Sequence, residues 1–285
     1  MPIRRLSVPA ALLVMAASAA GAQECRPGKG SREAQMLAFF AAPIAFSPAG
    51  NVAPMTAGEV RLGFDATLVP TPSEEIRHPE ICYVNTKTEN TELSPIFPRP
   101  RVALGLGAGF ALEATYLPPI TVLDATPNLF QVALGYARGI GTGGMSFLLR
   151  GHATIGQVKG PITCSPDVIQ TTNPTGTCYA TAPSEDTYKP NMVGFEGALR
   201  FGGNSRIQTY VGGGVTSLRP RFHVGFTDFL GNVDTTRVIV DLTRLTAFAG
   251  AAFKANPKFS LTAELYSQPK DVTTIRVGAL YVLRK

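Results

Sequence analysis

The stretch Phe130-Gln131-Val132-Ala133-Leu134-Gly135-Tyr136, the glycine-rich turn 139–144 and the stretch Met145-Ser146-Phe147-Leu148-Leu149-Arg150-Gly151-His152-Ala153-Thr154-Ile155 decide the fold. Large apolar side chains recur at every second position on both sides of the turn, which is the signature of two half-buried strands joined as a hairpin. Outward from this hairpin the same period repeats. Before it stand Val60, Leu62, Phe64, Ala66 and Leu68, then 101–106 and 110–116 around the tight turn Gly107-Ala108-Gly109. After it come Val193, Phe195, Leu199 and Phe201, the turn Gly202-Gly203-Asn204-Ser205, and Ile207, Val211 and Val215. Segments 245–253, 259–265 and 275–283 complete about ten strands, the count that this periodicity predicts.

The connections alternate as regularly as the strands. Short links fall at 107–109, 139–144, 202–205 and 254–258, and longer, polar or proline-rich links at 69–100, 118–127, 157–190, 217–243 and 267–273. An up-and-down barrel across a membrane needs this rhythm, with tight turns at one rim and longer loops at the other. A soluble barrel or sandwich would alternate too, but its polar faces would meet water and carry lysine. Here every lysine, from Lys29 to Lys285, falls in a link, a turn or an end, and the apolar faces carry no charge in a strand interior. A lipid-facing band has that property, because a lysine or arginine at its midplane costs about 2–4 kcal/mol. Phe110, Tyr136, Phe147, Phe201, Phe253, Phe259 and Tyr281 lie near the short turns, where an aromatic girdle belongs.

Composition agrees. Of 285 residues 45% are hydrophobic and only 16% charged, with 29 glycines, 23 prolines and no tryptophan, a mixture that disfavours a helical bundle. The net charge of +6 comes without a basic cluster, so no nucleic-acid partner is expected. Arg4 and Arg5, the apolar stretch 6–20 and Ala20-Gly21-Ala22 read as a cleavable export signal over 1–22. Export puts four cysteines in an oxidising compartment, where Cys164 pairs with Cys178 and Cys25 is left for Cys82. The cysteines lack ligand spacing and His78, His152 and His223 are scattered, so neither a metal nor a cofactor is expected.

The organisation is therefore a signal at 1–22, a non-barrel segment at 23–57 and a barrel at 58–285. In the middle segment Ser31-Arg32-Glu33 opens a short helix through Met36, Leu37, Phe39 and Phe40, which Pro43 ends. The segment either hangs below the barrel or enters the lumen, and a Cys25–Cys82 bond requires the second. Phe222, Val224 and Phe226 before Leu230-Gly231-Asn232, with Val238 and Val240 after it, predict a hairpin that carries two strands beyond the membrane.

On the signal, the period-two strands, the link rhythm and the apolar last strand 272–283, the chain resembles a bacterial outer-membrane β-barrel protein of the small, eight-to-twelve-strand kind. The resemblance implies an all-β, antiparallel transmembrane barrel in the outer membrane, lipid and the barrel-insertion machinery as partners, and small solutes as cargo. It departs from that kind at its end, where Tyr281 is followed by Val282-Leu283-Arg284-Lys285 instead of closing the chain.

Strand parity places Arg61, Asp65, Arg101, Glu113, Arg150, His152, Glu196, Arg200, Arg244, Glu264 and Arg276 on the inner face. The expectation is an internal ion-pair network, arginine being able to grip a carboxylate with two parallel hydrogen bonds. Function then divides between a narrow passive pore for small solutes and a plugged barrel with a structural or surface-interaction role. A carrier of hydrophobic compounds and a lipid-modifying enzyme stand behind these. Hydrolysis needs a serine and a histidine in contact, and His152 and Ser146 lie about 20 Å apart along one strand at about 3.3 Å per residue, so no enzyme is expected.

Overall fold

The computed structural model describes residues 23–79, 82, 87, 89, 91, 95–122 and 124–284. The export signal expected at 1–22 lies outside the described residues. Ten antiparallel strands form the wall: β1 Val60–Leu68, β2 Ile96–Gly107, β3 Phe110–Leu117, β4 Thr126–Ile140 and β5 Met145–Gly160. They continue as β6 Met192–Phe201, β7 Ile207–Leu218, β8 Leu242–Lys254, β9 Phe259–Gln268 and β10 Val272–Arg284. Each pairs with the next, and β10 pairs with β1 from Ile275↔Leu68 to Tyr281↔Leu62, so the sheet closes on itself. Closure removes the edges that an open sheet would expose.

The period-two pattern becomes two chemically different surfaces. Leu62, Phe64, Leu104, Leu134, Leu149, Phe195, Val211, Leu245, Leu265 and Ile275 all point outward and stay more than a third exposed. An apolar belt on every strand is far larger than the few hundred Å² that a protein in water tolerates, whereas hydrocarbon solvates it. At the end of the short turns Phe110, Tyr136 and Phe147 touch across three adjacent strands, with ring centroids 5.0 and 5.8 Å apart, as a girdle requires. No helix among the described residues is long and apolar enough to cross a membrane.

Beyond the belt, at the end of the long links, the wall grows into a lobe. β7 and β8 run on as a hairpin in unchanged register, Leu218↔Leu242, Arg221↔Ile239 and Phe226↔Asp234, turning at Asp228–Asn232. Short strand Arg221–His223 also pairs with Asp186–Lys189, which pairs with the end of β5. Arg237–Ile239 in turn takes Glu24–Cys25 as a parallel neighbour. From residue 23 the described chain therefore starts in the lobe, where Cys25–Cys82 and Cys164–Cys178 are both disulfides.

From the lobe the chain drops into the barrel as helix α1, Arg32–Ile44. Ser31 caps it, accepting from the Ala34 N–H at 3.2 Å. Pro43 does not stop it, because a proline in the last turn forfeits one hydrogen bond and Ala45 N–H still reaches the Ala41 carbonyl at 3.0 Å. Helix α1 is apolar and buried almost all round, as a helix must be when protein surrounds it. It shares one hydrophobic core with Tyr188, Phe222, Val224, Val238 and Leu242 of the lobe and upper wall. Residues 46–58 then run down the lumen to the start of β1. Gly50 passes the wall at φ 88°, where a Cβ would stand 2.4 Å from the Thr262 methyl.

Candidate functional site: a sealed lumen and a cavity at its rim

Inside the barrel the wall grips the descending segment by its main chain. Helix α1 ends with unpaired carbonyls and the negative end of its dipole pointing into the lumen, and arginines meet them. Arg276 donates to the Ala42 carbonyl at 2.9 Å, Arg99 to Ala45 at 2.9 Å, and Arg101 to Ser47 at 2.9 Å and Pro48 at 2.8 Å. Arg150 donates to the Phe46 carbonyl, and Gln131 to that of Ile44. The Phe46 ring lies under Arg101 and Arg150, each 4.6 Å from its centroid.

Carboxylates on the same wall balance these cations. Asp65 accepts from Arg99 at 2.9 Å and from Arg101 at 3.0 Å; Glu113 bridges Arg101 at 3.0 Å and Arg150 at 3.3 Å; Glu196 meets Arg150 at 3.1 Å. Glu264 accepts from Ser47, from the Ala49 N–H at 3.0 Å and from Tyr210 at 2.9 Å, with Arg276 at 3.7 Å. All of these side chains are buried. Buried charge is stable only when paired and hydrogen-bonded, and here the plug's carbonyls supply part of the pairing.

Parity had put eleven residues on the inner face, and the structure joins eight of them in this cluster: Asp65, Arg101, Glu113, Arg150, His152, Glu196, Glu264 and Arg276. The other three keep the inner parity but sit at other levels, outside the cluster. Arg61 sits at the turn end, held by Glu59 at 2.7 Å, Asn51 at 2.6 Å and the Pro54 carbonyl at 3.1 Å, because β1 has only just begun there. Arg200 is half-buried and reaches Gln208 at 3.1 Å. Arg244 stands at the loop end, where Asp271 of the β9–β10 turn holds it at 2.7 and 3.1 Å. One full member escaped sequence reasoning. Arg99 is wholly buried, yet it lies between Pro98 and Pro100, and prolines argue against a strand. The odd parity it shares with Arg101 was the signal available.

His152 meets Glu196 at 3.6 Å and is six residues along β5 from Ser146, with its register partner Gly194 well away from Arg200, the partner of Ser146. Among the described residues no group of three or more histidine, cysteine, aspartate or glutamate side chains is arranged for a metal ion.

A second feature lies at the loop-end rim. The Gly105 N–H donates to the Glu59 carbonyl at 2.8 Å, so odd residues of β2 bond toward β1 and even ones face β3. Pro98 and Pro100 are even and have no N–H to offer. Accordingly β2 pairs with β1 all along Ile96–Leu104 but with β3 only from Val102↔Ala114. Behind this break is a cavity of about 390 Å³. Phe40, Pro43 and Ile44 of the plug form one side, and Phe97, Leu117 and Val158 lie among the rest of the lining.

With this geometry, the fold is that of a bacterial outer-membrane β-barrel. No protein-family model and no curated protein matches the chain. Solved structures of similar outline include the attachment invasion locus protein Ail of Yersinia pestis, at 13% identity and TM-score 0.33 over 80% of this chain and 100% of that one. Neisserial surface protein A is similar at 10% identity and TM-score 0.31, over 79% and 97%, and E. coli outer membrane protein W at 14% and 0.30, over 80% and 99%.

Proposed function

We propose that this exported protein sits in the outer membrane as a barrel closed by its own N-terminal segment, and that it acts at the cell surface through its disulfide-braced lobe. The observation that carries this reading is the use of wall arginines. Arg99, Arg101, Arg150 and Arg276, the cations that a narrow anion-preferring pore would need along its path, each spend donors on plug carbonyls. An arginine so engaged is a clamp and not a stepping site. The lobe also presents Phe229, Leu230 and Val233 to solvent at the tip of the β7–β8 hairpin, between 49% and 71% exposed. Apolar side chains kept together at an exposed tip are a usual mark of a contact surface.

Planar-bilayer recordings test the seal. The purified protein is expected to give no conductance steps, and steady steps from the wild-type chain would restore the open pore. Sidedness is tested separately by an epitope inserted between Leu230 and Gly231, which antibody should label on intact cells.

A further inference from the structure

The rim cavity plays no part in the seal, and its walls have one chemistry. Pro43, Pro95, Pro98, Pro127, Pro161 and Pro166 all line it. A proline wall is rigid and offers no N–H donor, so it has little for a polar guest. The remaining surface is mostly aliphatic or aromatic, from Phe40, Ile44, Phe97, Leu117, Val158 and Ile162. Its charged members, Asp124, Lys159 and Asp167, are all exposed and so mark the edge and not the floor. About 390 Å³ falls in the range of roughly 300–1,000 Å³ that small-molecule sites occupy.

The break in the wall fixes the approach. Ile96–Pro98 on one bank and Leu117, Val122 and Ala125 on the other all line the cavity, so it lies directly behind the unpaired stretch of β2. The outer side of that stretch is greasy: Ile96, Tyr116, Ile120 and Val122 are 45%, 50%, 63% and 48% exposed. We propose that the cavity is a binding site for a small, uncharged, hydrocarbon-rich molecule dissolved in the membrane, which enters sideways through the gap between β2 and β3. Pro98 and Pro100 keep the backbone ladder open there by withholding its donors, the Thr115 hydroxyl on the Pro100 carbonyl closes the lower edge of the gap, and the plug helix supplies the inner wall against which the guest rests.

Fluorine NMR of the full chain in nanodiscs, with fluoronaphthalene as probe and empty nanodiscs as blank, tests this. The wild type should show a saturable bound resonance. Ala125→Trp, which fills the cavity from an exposed link, should weaken binding about tenfold, the worth of losing roughly one buried side chain's contact. Lys258→Gln, in a turn at the far end, should bind as the wild type does. Replacing both Pro98 and Pro100 by Val should slow entry while leaving the folded, heat-modifiable band intact on a gel. An Ala125→Trp variant that binds normally, or a wild type with no bound resonance, overturns the site. A Pro98, Pro100 double variant that fills at the wild-type rate overturns the lateral route. Native mass spectra showing a co-purified lipid, lost in Ala125→Trp, would make the occupant an acyl chain and overturn a free compound. Conductance is not involved, so these outcomes are separate from those that test the seal.

Discussion

The lumen and the lobe hold the same N-terminal segment by opposite means. Below, the wall grips the plug chiefly by its main-chain carbonyls with arginine, adding side-chain contacts at Phe46, Ser47 and Asn51. Above, helix α1 is held mainly by its side chains, in one apolar core with Tyr188, Phe222, Val224 and the two disulfides, to which the Tyr188 hydroxyl adds a single bond to the Leu37 carbonyl at 2.8 Å. The difference follows from solvent. A barrel immersed in lipid has its apolar side chains committed outward, leaving polar groups to make the inner contacts. The lobe stands in water and is free to bury apolar surface inside, as ordinary domains do.

If that contrast holds, damage should differ by region. The largest effect is expected from Arg150→Ala, which leaves Glu113 and Glu196 buried with one cation fewer. Removing one partner of such a pair costs about 3–5 kcal/mol, read as a lower urea midpoint for loss of the compact gel band. A shift below about 1 kcal/mol would mean that water, not Arg150, solvates those carboxylates. Next, replacing Cys164 and Cys178 by serine should cost about 3 kcal/mol for so short a loop. Limited proteolysis should show the loss in the lobe alone, with the gel shift of the barrel unchanged. Co-loss of barrel and lobe would show that the two regions fold as one unit.

The smallest effect concerns the lobe's polar seams. Burial pushes the Glu89 carboxyl up, but hydrogen bonds from Gln170 and the Cys178 N–H and the charge of Lys87 outweigh it, leaving it below its usual 4.5. A lowered carboxylate pKa contributes stability that is complete above the ordinary value and lost as pH falls through the lowered one. Cleavage of the 164–178 loop by pepsin should therefore rise as the solution is taken below 4.5, relative to a Glu89→Gln variant in which the step is flat. The same step in both chains would remove Glu89 from the account.

Much of the wall could be read directly. The hairpin around 139–144 shows why: with lipid outside and a charged lumen inside, each strand residue faces one of two unlike solvents, and the period of two records which. The extension beyond the membrane was legible for a similar reason, since Phe222, Val224 and Phe226 continue the period of two in the register of β7, with the apolar side now turned inward. The plug was less so. Its helix has a capping serine and a terminal proline, yet 46–58 has no period at all, because it is held by its carbonyls and carbonyls leave no trace in a sequence.

Sequence by itself determined the strands, their inner and outer faces, the disulfide partners and the charges available to the lumen, because all of these follow from local alternation and from compartment chemistry. Tertiary structure alone decided that Arg99 joins the cluster despite its flanking prolines, that Arg61, Arg200 and Arg244 stand apart from it, and that a cavity opens where β2 leaves β3. The physical reason is that closing the barrel sets which side chains share a level, and a residue's level depends on where its strand begins in relation to nine others. Period two fixes the face and is silent about height.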